Sequence, residues 1–279
     1  MRRCHRVQLG ALALVAIACS DATGPAVAST DLASALAEMS LSSIVPAFAP
    51  MMVRGVSSPS FQSLVPSQCA YVAASQSFVC AAKSADGVTT SHSYVLLDAS
   101  GASQMTFDPA TTASIRTMFT ASGTTTYTFY FTTRDSLRLS ETIDAHSTMT
   151  LSGLLTGVHV LNGTDVVHTT EPGFFGGALT STATSTIAGL VPAPAGSANP
   201  YPRAGSIAIA FDESGAGSPP MRFTITMVFN GTSKVAVTYT SNGGAPTHCT
   251  IDLAATGAAG AAGAAGFESC FGGLGLTLP

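Results

Sequence analysis

From residue 69 to the end of the chain, apolar residues recur at every second position in runs broken by Gly or Asn-Gly. A period of two belongs to strands with one buried face. In "TYTFYF" it puts Tyr127, Phe129 and Phe131 on one face. In "SLRLSETI" Leu137, Leu139 and Ile143 share a face, with Arg138, Ser140 and Thr142 on the other. "FTITMVFNGTSKVAVTY" predicts a hairpin around Asn230-Gly231. A two-residue turn sets Phe223, Ile225 and Met227 opposite Thr238, Ala236 and Lys234. One further loop residue puts them on the face of Val235, Val237 and Tyr239, which buries one coherent apolar surface and is preferred. "TGVHVLNGTDVVHTT" repeats the Asn-Gly-Thr chemistry and predicts a counterpart hairpin. About a dozen short strands with tight turns predict a mainly β fold: an antiparallel meander forming a sandwich or a strongly curved or closed barrel. A membrane-spanning barrel would ask for aromatic girdles and longer, regular strands, and aromatics are only 7% of the chain.

Ahead of residue 69 the period changes. "TDLASALAEMSLSS" offers Thr30 as an N-cap, Asp31 in the first turn, and Leu32, Leu36 and Met39 at helical spacing. It predicts one short N-terminal amphipathic helix over 30–42, its apolar stripe laid on a sheet. The stretch up to residue 68 is proline-rich and reads as an extended connection. Within the β region, "GLVPAPAGSANPYPRAGS" reads as a long loop inside one sheet system, with a subdivision near 190–204 as the alternative. The "AATGAAGAAGAAG" run near the end is of low complexity.

The first residues carry an address. Arg2, Arg3 and Arg6 precede an apolar stretch from Val7 to Ala18, too short to cross about 30 Å of hydrocarbon as a helix and typical of a secretory signal. Ala16-Ile17-Ala18-Cys19 is similar to the lipobox of bacterial lipoproteins, with Ala16 where Leu is usual. "ACSDATGP" likewise resembles the N-termini of lipoproteins of environmental Gram-negative bacteria. That resemblance implies removal of 1–18, acylation of Cys19 and anchoring in a membrane; Ser20 in place of Asp resembles outer-membrane sorting. The expected organisation is therefore a signal peptide (1–18), a lipidated cysteine and tether (19–29), the helix and connection (30–68) and an antiparallel β domain (69–279).

Four cysteines remain in the exported body, Cys69, Cys80, Cys249 and Cys270. An even number in an oxidising compartment predicts disulfides. Of the three connectivities, the local one, Cys69 with Cys80 and Cys249 with Cys270, is the simplest; no Cys-x-x-Cys spacing suggests a metal.

Charge is sparse, at 9% of residues, with a net −4 and only 11 Lys and Arg, so nothing resembles a footprint for nucleic acid. Chemistry is equally thin. His92, His146, His159, His168 and His248 are the histidines beyond the signal. A two-residue turn at Asn162-Gly163 makes His159 and His168 diagonal neighbours within reach of one metal; the longer loop turns them to opposite sides, with His159 across from Asp165. Surface-strand histidines and no metal are expected. There is no Gly-x-Ser-x-Gly elbow, and "ESGAGS" at 213–218 reads as a loop. Glu141 and Asp144 fall on opposite strand faces by their odd spacing. "DASGASQ" at Asp98 lacks the ligands of a calcium loop, and Arg134-Asp135 reads as a charged turn.

The resulting expectation is a non-enzymatic, lipid-anchored protein of the cell envelope with no cofactor, whose partners are the membrane and either an apolar small molecule or another envelope protein. A curved sheet closed by the 30–42 helix would direct Tyr127, Phe129, Phe131, Phe223, Ile225 and Met227 toward an apolar ligand, unless those residues are plain core. The alternatives are a structural or adhesive surface module without a ligand, and an enzyme of unrecognised type, which would need His159, His168 or the acidic residues to converge.

Overall fold

The structure is a computed structural model that describes residues 68–130, 136–172, 177–194, 197–199, 201–215 and 218–256. The expected 30–42 helix, Cys19, Phe131, the Arg134-Asp135 turn and Cys270 lie outside these residues. What is described is mainly β. Thirteen strands form one antiparallel sheet: β1 (Cys69–Val72), β2 (Ser77–Cys80), β3 (Lys83–Ala85), β4 (Val88–Asp98), β5 (Ser103–Gln104), β6 (Thr112–Tyr130), β7 (Ser136–Ser152), β8 (Val160–Pro172), β9 (Ala178–Val191), β10 (Ala204–Gly215), β11 (Ser218–Val228), β12 (Lys234–Ser241) and β13 (Thr247–Asp252). One helical turn, α1 (Leu253–Thr256), follows.

The order β1-β2-β4-β6-β7-β8-β9-β10-β11-β12-β13 is a meander, with β3 and β5 attached to β4. β1 and β13 are its two ends, and no ladder joins them among the described residues, so the order is open rather than closed. The central strands are not short: β6 runs for 19 residues and β7 for 17. β9 and β10, on either side of the Pro/Gly-rich stretch, pair directly.

Alternation fixes two faces. The inner face carries Tyr94 and Leu96 of β4, Ile115 of β6, Met149 and Leu151 of β7, Leu161 of β8, Ile187 and Leu190 of β9, Ile207 of β10, Ile225 and Met227 of β11, Val235, Val237 and Tyr239 of β12 and Ile251 of β13, all in one buried cluster. Partly buried Cys69, Phe78, Cys80 and Cys249 pack against it. Register aligns these residues into rows across the strands. Leu96 pairs with Ile115, Ile115 with Leu151, Leu151 with Leu161, and Leu161 with Leu190; each is at most 1% exposed. Removing five such side chains from water, at about 1.5–3 kcal/mol each, makes this row a main source of stability.

Turn chemistry corrects two expectations. Phe223, Ile225 and Met227 do share a face with Val235, Val237 and Tyr239, but Met227 pairs with Val237 and Ile225 with Tyr239, a register two residues beyond the expected one. The loop is longer because Phe229 donates its amide to Gly205 and Gly231 to Pro202, while Asn230 Oδ1 accepts from the Thr232 amide (3.1 Å) and hydroxyl (2.7 Å). The second correction is larger. Asn162-Gly163 is no turn; it lies inside β8, and the chain reverses before it, between Ser152 and Val160. Gly163 stands where β7 comes closest: a Cβ there would collide with the Thr148 carbonyl oxygen and the Met149 side chain. Asn162 Oδ1 accepts the Gly189 amide (2.7 Å) where the β8–β9 register shifts. The dipeptide serves a close approach and a bulge.

Elsewhere local chemistry acts as composition suggests. Asp86-Gly87, with φ of 51° and 83°, makes the tight turn between β3 and β4, the mirror-image type that suits strand twist. Asp98 Oδ1 accepts from the Ser100 amide and hydroxyl and the Ala102 amide, so "DASGASQ" is a capped hairpin turn. Cys69 and Cys80 are direct cross-strand partners and are disulfide-bonded. Cys249 is also disulfide-bonded, to a residue outside the described set.

Candidate functional site

The inner face changes character along the strands. Next to the large-residue rows runs a mixed one: His92 pairs with Phe119, Phe119 with Ser147, Ser147 with Asp165, Asp165 with Ser185 and Ser185 with Ile209. Ser147 and Asp165 are both buried. Beyond it lies a row of small side chains, Ala121, Ala145, Val167 and Ala183, ending on Phe211 and Phe223. The last rows hold Ile143, Thr169, Ser181 and Glu213, then Glu141. Thr169 and Ser181 hydroxyls share a 2.6 Å hydrogen bond. Burial raises the pKa of Glu141, the nearby Glu171 carboxylate adds to the rise, and a hydrogen bond from Thr169 opposes it. His92 is half-buried edge-on to Phe119, with ring centroids 4.5 Å apart; burial and then Lys83 hold its pKa below the usual histidine value.

These polar groups do not assemble a reaction centre. Phe119 stands between His92 and Ser147 in their row, so the histidine cannot serve Ser147 as a base. Glu141 is buried on the inner face and Asp144 exposed on the outer, as their spacing requires. Among the described residues no three His, Cys, Asp or Glu side chains are placed to hold a metal ion. His159 lies in the turn before β8 and His168 near the far end of that strand, about 30 Å along an extended chain. They never become neighbours, and the register that set His159 across from Asp165 disappears with the misread turn.

The outer face holds a pattern that the sequence reading missed. Thr148, Thr164 and Thr186 pair across β7, β8 and β9, and so do Thr142, Thr170 and Thr180, with Thr124 of β6 beside Thr142 at 3.2 Å. Further along the sheet Thr226 pairs with Thr238, and Thr224 with Thr240. These side chains are exposed or half-buried. Strand geometry sets them about 4.8 Å apart across the sheet and about 6.7 Å along each strand, a lattice of methyl and hydroxyl groups. Charges interrupt it at few points: Arg222 pairs with Asp212, and His146 Nε2 lies 3.2 Å from Asp144, whose cross-strand partner is His168. His168 Nδ1 in turn meets the Thr182 hydroxyl at 2.9 Å, and His248 Nδ1 the Thr238 hydroxyl at 3.1 Å. The run "TSTATST" (180–186) signals such a face, but only the ladder register shows that neighbouring strands match it.

Of the residues expected to meet an apolar ligand, Phe131 lies outside the described residues, and Tyr127 and Phe129 are placed by backbone register alone. Ile225 and Met227 are fully buried core. Phe223 is half-buried between Phe211, stacked at 4.9 Å, and Tyr239 at 6.2 Å. Tyr127 and Phe129 sit at register positions opposite Leu139 and Leu137 near the far tip of β6, five strands away from β11 in the sheet order. A shallow depression among the described residues lies on the other side of the molecule's β4–β5 hairpin, lined by Ser75, Gln76, Val95, Leu97 and Ser103.

Comparison with protein-family models, curated proteins and solved structures finds no match to this chain.

Proposed function

We propose that this chain is a lipid-anchored, non-enzymatic module of the bacterial cell envelope that works by surface contact through its threonine-rich outer face. The observation that carries the reading is the sorting of the two faces: large apolar residues inward, a nearly uncharged Thr and Ser lattice outward. A sheet spanning a membrane needs the reverse, apolar toward lipid, so attachment falls to the N-terminal cysteine. The expected lipobox at Cys19 supports that attachment, and the Cys69–Cys80 disulfide accords with an oxidising compartment. The sheet is read as strongly curved, either sandwich-like or barrel-like, because residues from β4 through β13 belong to one buried cluster. Outer-membrane sorting is part of the proposal.

The test is direct. The natural chain should partition with outer membranes and incorporate labelled fatty acid, and Cys19→Ser should release it into the soluble fraction. A soluble natural chain, or a membrane-bound Cys19→Ser variant without label, defeats the anchoring. For the contact role, Thr148→Lys with Thr164→Lys should abolish binding of the purified chain to cell-surface material while leaving its melting temperature within a few degrees. A second reading, an apolar ligand held from the inner side, is favoured by the half-buried group Phe211, Phe223 and Tyr239; native mass spectrometry would reveal such a ligand as added mass.

A further inference from the structure

The ladders set four connections at one end of the sheet. Asp98 pairs with Thr112, Ser114 with Ser152, Ser152 with Val160, Val191 with Ala204, and Val228 with Ala236. The β5–β6, β7–β8, β9–β10 and β11–β12 connections therefore share that end. Large apolar side chains stand in water there: Met105 is 65% exposed, Val158 58%, Val228 49% and Leu155 42%. Among the described residues, the turns at the opposite end, Asp86-Gly87 and 242–246, hold no large aliphatic or aromatic side chain. Two of the four are presented by a closely fitted turn. In "GLLTGV" (153–158) Gly153 has a φ of 83°, and a Cβ there would collide with the Val158 carbonyl oxygen. The Gly153 carbonyl accepts from the Thr156 amide (3.1 Å) and hydroxyl (3.0 Å), and Leu154 donates its amide to Ala113. Leu154 packs on the main core, while Leu155 and Val158 are left in water. Each exposed side chain forgoes the stabilisation that burial would give, and their gathering at one end marks a contact surface.

We propose that this end rests on a phospholipid bilayer, with Met105, Leu155, Val158 and Val228 dipping into the boundary between headgroups and acyl chains. The setting rests on the membrane attachment proposed above; the contact itself needs no lipid on Cys19. A bilayer fits better than a protein partner because the four side chains are spread out. They come from the β5–β6 connection, the β7–β8 turn and the last residue of β11, which stands three places beyond β8 in the strand order. A protein partner asks for one contiguous apolar patch with a packed centre, whereas a fluid surface takes separate tips one by one. Charge agrees with this choice. Residues 153–158 carry none. The carboxylates of Asp98, Asp108 and Asp252 accept hydrogen bonds from amides of their own turns. Exposed Arg116, near the start of β6, and Arg203, just before β10, have stems long enough to carry their charges to anionic phosphates. The contact orients the anchored molecule and leaves its threonine-rich face free. Without an acyl chain it is reversible and is lost on washing.

Two measurements test the proposal on the full chain carrying Cys19→Ser, so that failure of acylation and failure of this contact read separately. First, the chain should float with vesicles of phosphatidylcholine and phosphatidylglycerol, and Leu155→Ser with Val158→Ser should lower its partition coefficient by about tenfold or more. Val79→Ser with Met221→Ser, at apolar positions exposed away from this end, should leave the coefficient unchanged. No flotation, or an equal loss from both pairs, overturns the proposal. Second, an environment-sensitive dye on Val158→Cys should brighten when vesicles are added, and the same dye on Ala245→Cys, at the opposite end, should not. Equal responses overturn the orientation. If the chain instead self-associates without vesicles and Leu155→Ser with Val158→Ser dissolves the assembly, a second copy covers this end and the proposal fails.

Discussion

Two rows of the same inner face are built by opposite means. Leu96, Ile115, Leu151, Leu161 and Leu190 fill their row with large side chains. Ala121, Ala145, Val167 and Ala183, three rows along the same strands, leave a trough of short side chains. In the first row large side chains make the core; in the second, short ones make a small buried cluster with Phe119 and Ile143 beside them. Low exposure alone does not distinguish the two, and side-chain volume does.

The comparison can be broken or sharpened by substitution. Leu151→Ala should cost about 2–5 kcal/mol, because a cavity opens between Ile115 and Leu161 where nothing can move in; urea denaturation measures it. Replacing Cys69 and Cys80 by Ala should cost roughly 3 kcal/mol through the freed short loop, visible as a lowered melting temperature. Ala145→Leu is the discriminating variant. Ala145 has no exposed surface, so the larger side chain should cost about 1–3 kcal/mol from overpacking, where the same change at an exposed outer-face position would be close to neutral.

Protonation gives a finer probe. Glu141, beyond the trough, has a raised pKa in the fold, so its contribution favours the folded state in acid and is lost as pH rises from the ordinary glutamate range through the raised value. Glu141→Gln should remove that decline and leave the variant more stable than the natural chain at neutral pH. His92 runs the other way. Its lowered pKa means that stability falls as pH drops from the ordinary histidine range through the lowered value, and His92→Gln should flatten that arm. The smallest effect is expected on the outer face, where Asp212→Asn breaks an exposed pair with Arg222 and should change stability by about 0–1 kcal/mol.

Much of this was legible before the structure. Alternation assigned Leu139 and Ile143 to one face and Ser140 and Thr142 to the other, and the faces of the Phe223–Tyr239 hairpin came out as expected, because a pleated strand permits only two sides. What failed was longer in range. Asn162-Gly163 looks the same whether it turns a hairpin or relieves a close contact with Met149, and only the neighbouring strand decides. The threonine rows depend on register across several strands, which no local stretch encodes. The trough is invisible in sequence for the same reason, since Ala121, Ala145, Val167 and Ala183 come from four separate strands.

The meander has a kinetic consequence. Among the described residues every ladder joins strands close in sequence, and none pairs residues further apart than Ser114 and Ser152. Loop closure is therefore cheap at each step, and contact order is low for a sheet of this size. A chain delivered amino end first can zip strand onto strand as it emerges, starting from the hairpin that Cys69 and Cys80 close. Each new strand then finds its template already formed.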